Sequence, residues 1–503
     1  MGRVTAPSPV IPVPPADLPG TLGELRAAGH RYRSVKQELR DNLLARMRSG
    51  ADRFPGVVGY DDTVLPEVER ALLAGHDLVL LGERGQGKTR LIRSLAGLLD
   101  EWTPVIAGSV LNEHPLHPIT PASRALVAEA GDDLPVGWLH RSMRYGEKLA
   151  TPDTSVGDLI GDVDPIRIAE GRTLGDPETI HFGLVPRTNR GIFAVNELPD
   201  LAERIQVALL NVLEERDIQV RGYQLRLPLD LFLVASANPE DYTNRGRIIT
   251  PLKDRFGAEV RTHYPLDLEL ELDLIRQEAD LVAEVPEHVL EVLARFARAV
   301  RESPSVDPRS GVSARFAIAA AETVAAAALR RAALLAAAPG GDGAGVSTGD
   351  PSSTAGVNRG PFLTPVARVG DAVSVTSTLR GKVEFESGEE GREVEVLAHL
   401  LRTATAETFR ARLAGLDVSG FTALVDDDRV IETGELVGAA ELLRQVGTVP
   451  GLAKALDRLG LGDAPSPEQA AAGVEFVLEG LHLTRRLGKD VTDSGRTRYG
   501  GRS

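Results

Sequence analysis

Leu78-Val79-Leu80-Leu81-Gly82-Glu83-Arg84-Gly85-Gln86-Gly87-Lys88-Thr89 joins a continuous apolar run to a glycine-rich loop that ends in Lys-Thr. An unbroken apolar run is the pattern of a strand buried on both faces. Leu91, Ile92, Leu95, Leu98 and Leu99 then recur at helical spacing. Strand, loop and helix in that order are the setting of a phosphate-binding P-loop. Its glycines admit the positive φ and close approach that let backbone N–H groups wrap phosphate oxygens. In the pattern Gly82-x-x-x-x-Gly87-Lys88-Thr89, Lys88 has the reach to pair with β- and γ-phosphates and Thr89 offers a hydroxyl to Mg²⁺. The helix that starts there turns its positive dipole end towards the anion. Gly82 to Thr89 are therefore the candidate nucleotide-binding residues, and a nucleoside triphosphate is the expected ligand.

The 503 residues leave room for about three domains. A net charge of −15 disfavours a nucleic-acid backbone or an anionic membrane as the main partner. With no cysteine there is no disulfide, thiol nucleophile or cysteine zinc site, which fits a reducing compartment; the cytoplasm is the expected location. Residues 1–20 are rich in proline, lack the apolar stretch of a secretory signal and read as a disordered tail. The most apolar long segment, Ala317 to Ala338, is interrupted by Glu322, Arg330 and Arg331 and reads as a packed helix, not a membrane span.

Residues 21–53 carry a charged helical pattern. An α/β core is expected over 54–266, with central strands at Leu78 to Leu81, Ile192 to Val195 and Leu231 to Ala235, and a hairpin around Arg221-Gly222. Residues 267–338 read as a helical lid and 339–360 as a flexible Gly/Ser-rich linker. Residues 361–503 read as mostly helical, closing in a basic, solvated tail that includes Arg485, Arg486, Lys489, Arg496, Arg498 and Arg502.

Hydrolysis of a nucleoside triphosphate needs a carboxylate for the attacking water, a polar group near the γ-phosphate and cations for the developing charge. Glu197, beyond the second strand, is the candidate base. Asn238, beyond the third, is the candidate sensor amide. Arg255 in Asp254-Arg255-Phe256-Gly257 and Arg315 in the helical region are the candidate cations. Read singly, Glu197 is a helix-start acid, Asn238-Pro239 a turn, and each arginine a surface residue. Glu113, His114, His117, His140 and His181 lack helical ligand spacing and read as polar loop residues, not a metal site.

Taken in order, Phe54 to Gly59, the P-loop, Asp158-Leu159-Ile160-Gly161, Arg187 to Gly191, Ile192 to Glu197, Asn238-Pro239 and Asp254 to Gly257 resemble the AAA+ ATPases. Within these the chain is similar to the helix-2-insert group, which includes the magnesium chelatase ATPase subunit and the MoxR-like ATPases. The resemblance implies an α/β P-loop NTPase fold, a parallel sheet flanked by helices, followed by a helical lid. It implies ATP and Mg²⁺ as cofactors, a catalytic role for Glu197, Asn238, Arg255 and Arg315, and an insert at Gly161 to Val185. It further implies a homo-oligomeric ring, expected to be a hexamer, in which Arg255 acts on a neighbouring subunit. The partner it implies is a separate protein with a von Willebrand factor A domain.

The departure from the family is Asn196, where an aspartate would hold the Mg²⁺ shell together with Thr89; an amide accepts a hydrogen bond but brings no charge. A working motor for protein remodelling or metal insertion is the leading expectation. A nucleotide-gated scaffold with little hydrolysis is the alternative. An enhancer-dependent transcription activator is disfavoured, because neither a Gly-Ala-Phe-Thr-Gly-Ala loop nor a DNA-reading helix-turn-helix is legible.

Overall fold

The computed structural model describes residues 12–163, 180–214, 217–220, 223–239, 247–307, 311–337, 365–417, 419–426, 430–492 and 496–500. They form two compact units, Met1–His263 and Tyr264–Ser503. The expected 339–360 linker, the middle of the expected insert and the hairpin tip Arg221-Gly222 lie outside the described residues.

The first unit is built on five parallel strands: β1 Leu78–Leu81, β2 Tyr145–Leu149, β3 Gly191–Asn196, β4 Leu231–Ala237 and β5 Ala258–Arg261, in the order β5-β1-β4-β3-β2. Every residue of β1 and β3 is buried, because helices cover both faces of the sheet. Alternate residues of one apolar run serve opposite layers. Leu78, Leu80, Ile192, Ala194, Phe232 and Val234 pack with residues of helices α1 (Val35–Ser49), α2 (Val64–Ala74) and α3 (Lys88–Ser94). Val79, Leu81, Phe193, Val195, Leu233 and Ala235 pack on the other side with α4 (Glu203–Glu214) and α5 (Thr250–Arg255). The period of two is therefore present but hidden by double-sided burial.

β2 and β5 were not among the three expected strands. They are the sheet edges: Tyr-Gly-Glu-Lys-Leu carries Glu and Lys at half-buried positions and Ala-Glu-Val-Arg carries Glu and Arg at exposed ones, so no apolar run announces them. The base of the expected insert is an antiparallel pair, Gly161–Val163 with Ile180–Phe182. The expected hairpin is Asp217–Val220 paired with Tyr223–Arg226.

A buried ion pair ties α1 to this sheet. Arg144 and Glu38 meet through both oxygens at 2.7 and 2.6 Å, with side chains 1% and 5% exposed. Arg144 Nε also donates to the Arg190 carbonyl at 2.8 Å, and Glu38 accepts the Asp100 N–H at 2.7 Å. Arg190, at φ +62°, sends its own guanidinium to the Pro104 carbonyl and Thr103 hydroxyl. Burial, then the Arg144 charge, pushes its pKa down to about 10. This packing accounts for the Arg187 to Gly191 segment that the sequence singled out.

The second unit packs α6 (Leu268–Glu278), α7 (Glu287–Glu302), α8 (Ala314–Ala337), α9 (Glu393–Arg412), α10 (Ala439–Val446) and α11 (Pro467–Leu483) around one core that includes Val292, Phe296, Phe316, Val324, Leu401 and Phe476. Arg331, one of the charges interrupting the Ala-rich segment, is buried against Asp371 at 3.0 Å. Among the described residues no helix is long and apolar enough to cross a membrane. The basic end differs from the solvated tail expected. Gly488–Val491 and Thr497–Gly500 join Ile431–Thr433 in an antiparallel sheet, Tyr499 is buried with its hydroxyl on Glu479, and Arg496 and Arg498 pair with Glu432. Acidic partners elsewhere in the unit order Lys489, Arg496 and Arg498, which local composition does not reveal, whereas Arg485 and Arg486 are exposed. Arg502 lies outside the described residues.

Candidate nucleotide site

The loop after β1 is held from three sides. The Gly82 N–H donates to the Ala237 carbonyl at 3.2 Å, tying the loop entry to the end of β4. A Cβ at Gly82 would overlap Thr262 Oγ1 and Gln86 Oε1, so only glycine fits. Gly85 and Gly87 stand at φ +75° and +78°, the left-handed region the turn into α3 requires. The buried Gln86 side chain accepts from the Glu83 N–H at 3.0 Å and the Thr262 hydroxyl at 2.8 Å. Its amide thus braces the loop from within, and only its backbone faces a ligand's needs. The Tyr60 hydroxyl lies between the Gln86 and His263 carbonyls, and burial pushes its pKa up to about 12. Lys88 Nζ donates to the Gly82 and Glu83 carbonyls at 2.5 and 2.7 Å, so the ammonium sits across the loop. Thr89 is half-buried in the first turn of α3, Glu83 is half-buried and Arg84 is exposed.

Because β1, β4 and β3 are neighbours running the same way, the P-loop, Asn238 and Asn196-Glu197 emerge side by side from their C-terminal ends. Ligands of open α/β sheets bind at this edge. Asn238 is buried, 8% exposed. Glu197 is half-buried and adopts φ +57°, ψ +47°, a backbone state that costs a non-glycine residue about 1–3 kcal/mol and concentrates at functional positions. Its N–H donates to Ser236 Oγ at 3.3 Å, and the same hydroxyl donates to Asn196 Oδ1 at 3.2 Å.

The Asn196 amide Nδ2 donates to Glu147 Oε1 at 2.6 Å. Arg93, one turn beyond Thr89 on α3, grips the same carboxylate through Nε at 2.8 Å and Nη2 at 3.0 Å, and the Tyr145 hydroxyl adds a bond at 3.2 Å. Burial works to raise the Glu147 pKa; the Arg93 hydrogen bonds and charge, with Tyr145 and Asn196, outweigh it and hold the carboxyl below its ordinary range. Sequence reasoning missed Glu147, Arg93 and Ser236. Ser236 was visible as a hydroxyl inside an apolar run and Arg93 as the i+4 neighbour of Thr89, whereas Glu147 sits on an edge strand with no signal of its own.

Arg255 ends α5 and is exposed, while Phe256 beside it is buried. Arg315 lies in the second unit, exposed in the first turn of α8. The chain leading to it is fixed by Arg301, which donates to the Val312 carbonyl at 2.9 Å and pairs through two bonds with the buried Glu271. Four of the candidate positions, the P-loop, Asn196, Glu197 and Asn238, are thus gathered at one sheet edge.

The histidines have other tasks. Glu113 accepts the Ile119 and Thr120 N–H groups at 2.8 and 2.7 Å and so shapes its loop. His114 lies in the same loop but is buried there; burial and then the Arg190 charge push its pKa down to about 2. Among the described residues no group of three or more His, Asp or Glu side chains could hold a metal ion.

No family model matches the chain. The magnesium-chelatase 38 kDa subunit of Rhodobacter capsulatus is 30% identical over 246 residues, 44% of this chain and 59% of that protein. Magnesium-chelatase subunit ChlI of Nostoc sp. is 28% identical over 233 residues, 45% of this chain and 58% of that protein. The chain therefore spans somewhat over half the length of the curated relatives it matches. Among solved structures, a magnesium-chelatase BchI–BchD complex built on a 7.5 Å cryo-EM reconstruction is 23% identical with a TM-score of 0.34, covering 57% of this chain and 88% of that one. The Thermotoga maritima RuvB branch-migration motor is 14% identical with a TM-score of 0.31, covering 58% and 67%. Over 44–45% of its length the chain is thus similar to these magnesium-chelatase subunits, and its P-loop and five-stranded parallel sheet agree with the AAA+ resemblance read from the sequence.

Proposed function

We propose that the chain binds ATP with Mg²⁺, hydrolyses it in a ring of identical subunits, and uses the cycle to remodel a partner protein or drive metal insertion. The observation that carries this reading is the convergence of Lys88, Thr89, Asn238 and Glu197 at the ends of three adjacent parallel strands. Lys88 and the loop N–H groups hold the phosphates, and Glu197 orients the attacking water and accepts its proton. The Asn238 amide positions that water or the γ-phosphate. The oxygen donors gathered nearby, the Thr89 hydroxyl, the Asn196 amide and the Glu147 carboxylate, fit Mg²⁺, which when bound neutralises charge between the phosphates. Arg255, exposed at the end of its helix, serves the site of a neighbouring subunit, and Arg315 serves as the lid cation. A hexamer with a separate von Willebrand factor A partner is the assembly this implies.

Steady-state phosphate release tests the reading: Lys88→Ala should abolish it. Glu197→Gln and Arg255→Ala should each be inactive alone, and mixing them should restore part of the turnover, since a mixed ring contains interfaces with both native residues. No recovery on mixing would remove Arg255 from the trans role. Capture on a Glu197→Gln ring should retain the von Willebrand factor A protein, and its absence would count against that partner. The second reading, an ATP-gated scaffold, is favoured by the uncharged Asn196, whose amide is occupied by Glu147 and Ser236. Tight ATP binding without phosphate release would decide for it.

A further inference from the structure

The carboxylate missing at position 196 has a counterpart in contact with it. Glu147 lies 2.6 Å from the Asn196 amide nitrogen, on the neighbouring strand, and Arg93 joins it to the helix that carries Thr89. Asn196 bridges two groups of opposite demand: its oxygen accepts from Ser236 and its nitrogen donates to Glu147. Aspartate could satisfy the first but would set a second negative charge against Glu147. Asn196 and Glu147 therefore form a matched pair carrying one negative charge, displaced by one side chain from where the family holds it.

We propose that Glu147 is the metal-shell carboxylate of this nucleotide site, taking the part that an aspartate at 196 would otherwise play, and that Arg93 and the hydrated divalent cation compete for it. The inference rests on the ATP-binding reading of the P-loop. Glu147 accepts four hydrogen bonds, two from Arg93 and one each from Asn196 and Tyr145, which fills the lone-pair positions of a carboxylate. A hydrated cation must displace one of these donors. Arg93 is the one that can leave: its side chain is 61% exposed, and exposed ion pairs are weakly held. Asn196 and Tyr145, more deeply set, keep the carboxylate aimed when it does. Arg93 is four residues past Thr89, one helical turn, so the helix that carries the hydroxyl expected to meet the metal also holds Glu147.

The test is binding of a fluorescent ATP analogue to the full chain with and without Mn²⁺, read as the ratio of the two affinities. The Glu147→Gln ratio should fall about 10-fold or more, the usual cost of losing a partner of a metal's ligand shell. Arg93→Gln should raise the ratio by freeing the carboxylate. Asn196→Asp alone should not improve it, whereas Asn196→Asp combined with Glu147→Gln should recover the native ratio, because the single charge is then moved back. The double variant also guards against Glu147→Gln simply misfolding. A native ratio in Glu147→Gln, or a gain in Asn196→Asp alone that the double variant does not exceed, would overturn the role of Glu147 and leave the P-loop reading intact. Failure of the native chain to bind the analogue under either condition, or binding unaffected by Lys88→Ala, would overturn the ATP-binding reading itself and the Glu147 role with it.

Discussion

Glu197→Gln is expected to keep ATP bound while phosphate release falls by about 10²–10⁴-fold, the usual contribution of a positioned general base. The amide has the shape of the carboxylate, so the nucleotide pocket is unchanged, but it cannot accept the proton of the attacking water. The backbone at Glu197 sharpens the test. At φ +57° the residue occupies a state glycine adopts freely and glutamate does not, and Ser236 pins its N–H there. A Glu197→Gly variant should therefore be equally inactive yet lose no thermal stability, since relief of strain offsets the added freedom of the unfolded chain. Activity surviving in either variant would place the base elsewhere. Calorimetry alongside the phosphate assay separates a strained functional residue from a merely structural turn.

Glu38→Ala should destabilise the first unit by about 3–5 kcal/mol, because it leaves Arg144 buried without its two-pronged carboxylate partner and beside the like-charged Arg190. For a unit of this size that corresponds to a fall in melting temperature of roughly 10 °C. The loss comes mainly from the stranded charge, not from the pair's own attraction. Replacing both partners, as in Glu38→Leu with Arg144→Met, should therefore recover most of it. Recovery should stop short by about 1–3 kcal/mol, since the Asp100 N–H and Arg190 carbonyl lose their partners too. If the double variant were no more stable than Glu38→Ala, the explanation by an uncompensated charge would be wrong.

Much of the first unit was legible along the chain. β1, β3 and β4 are central strands whose neighbours on both faces are helices, so each is apolar until the C-terminal end where Asn196 and Ser236 stand, and that run is visible without knowing its partners. The P-loop was legible for a similar reason: its glycines answer to local backbone geometry, and Lys88 and Thr89 follow at fixed spacing. Edge strands β2 and β5 were not, since one side of each is free to carry Glu, Lys or Arg. The basic C-terminal segment was misjudged as solvated because Glu432 is 64 and 66 residues from the arginines it pairs with, and Glu479, although nearby in sequence, faces Lys489 and Tyr499 only once the segment folds back on its helix.

The same division runs through the nucleotide site. The sequence by itself determined the phosphate loop, the candidate base Glu197, the candidate sensor Asn238 and the uncharged residue at 196, because each follows an apolar strand at a set distance. Only the tertiary structure decided what Asn196 faces. Glu147 is 49 residues away, on an edge strand, and Arg93 reaches it from a helix, so their meeting depends on parallel strand order and helix packing. Local patterns record what the backbone demands of its neighbours in sequence; the charge balance of a site is set by side chains that only folding brings together.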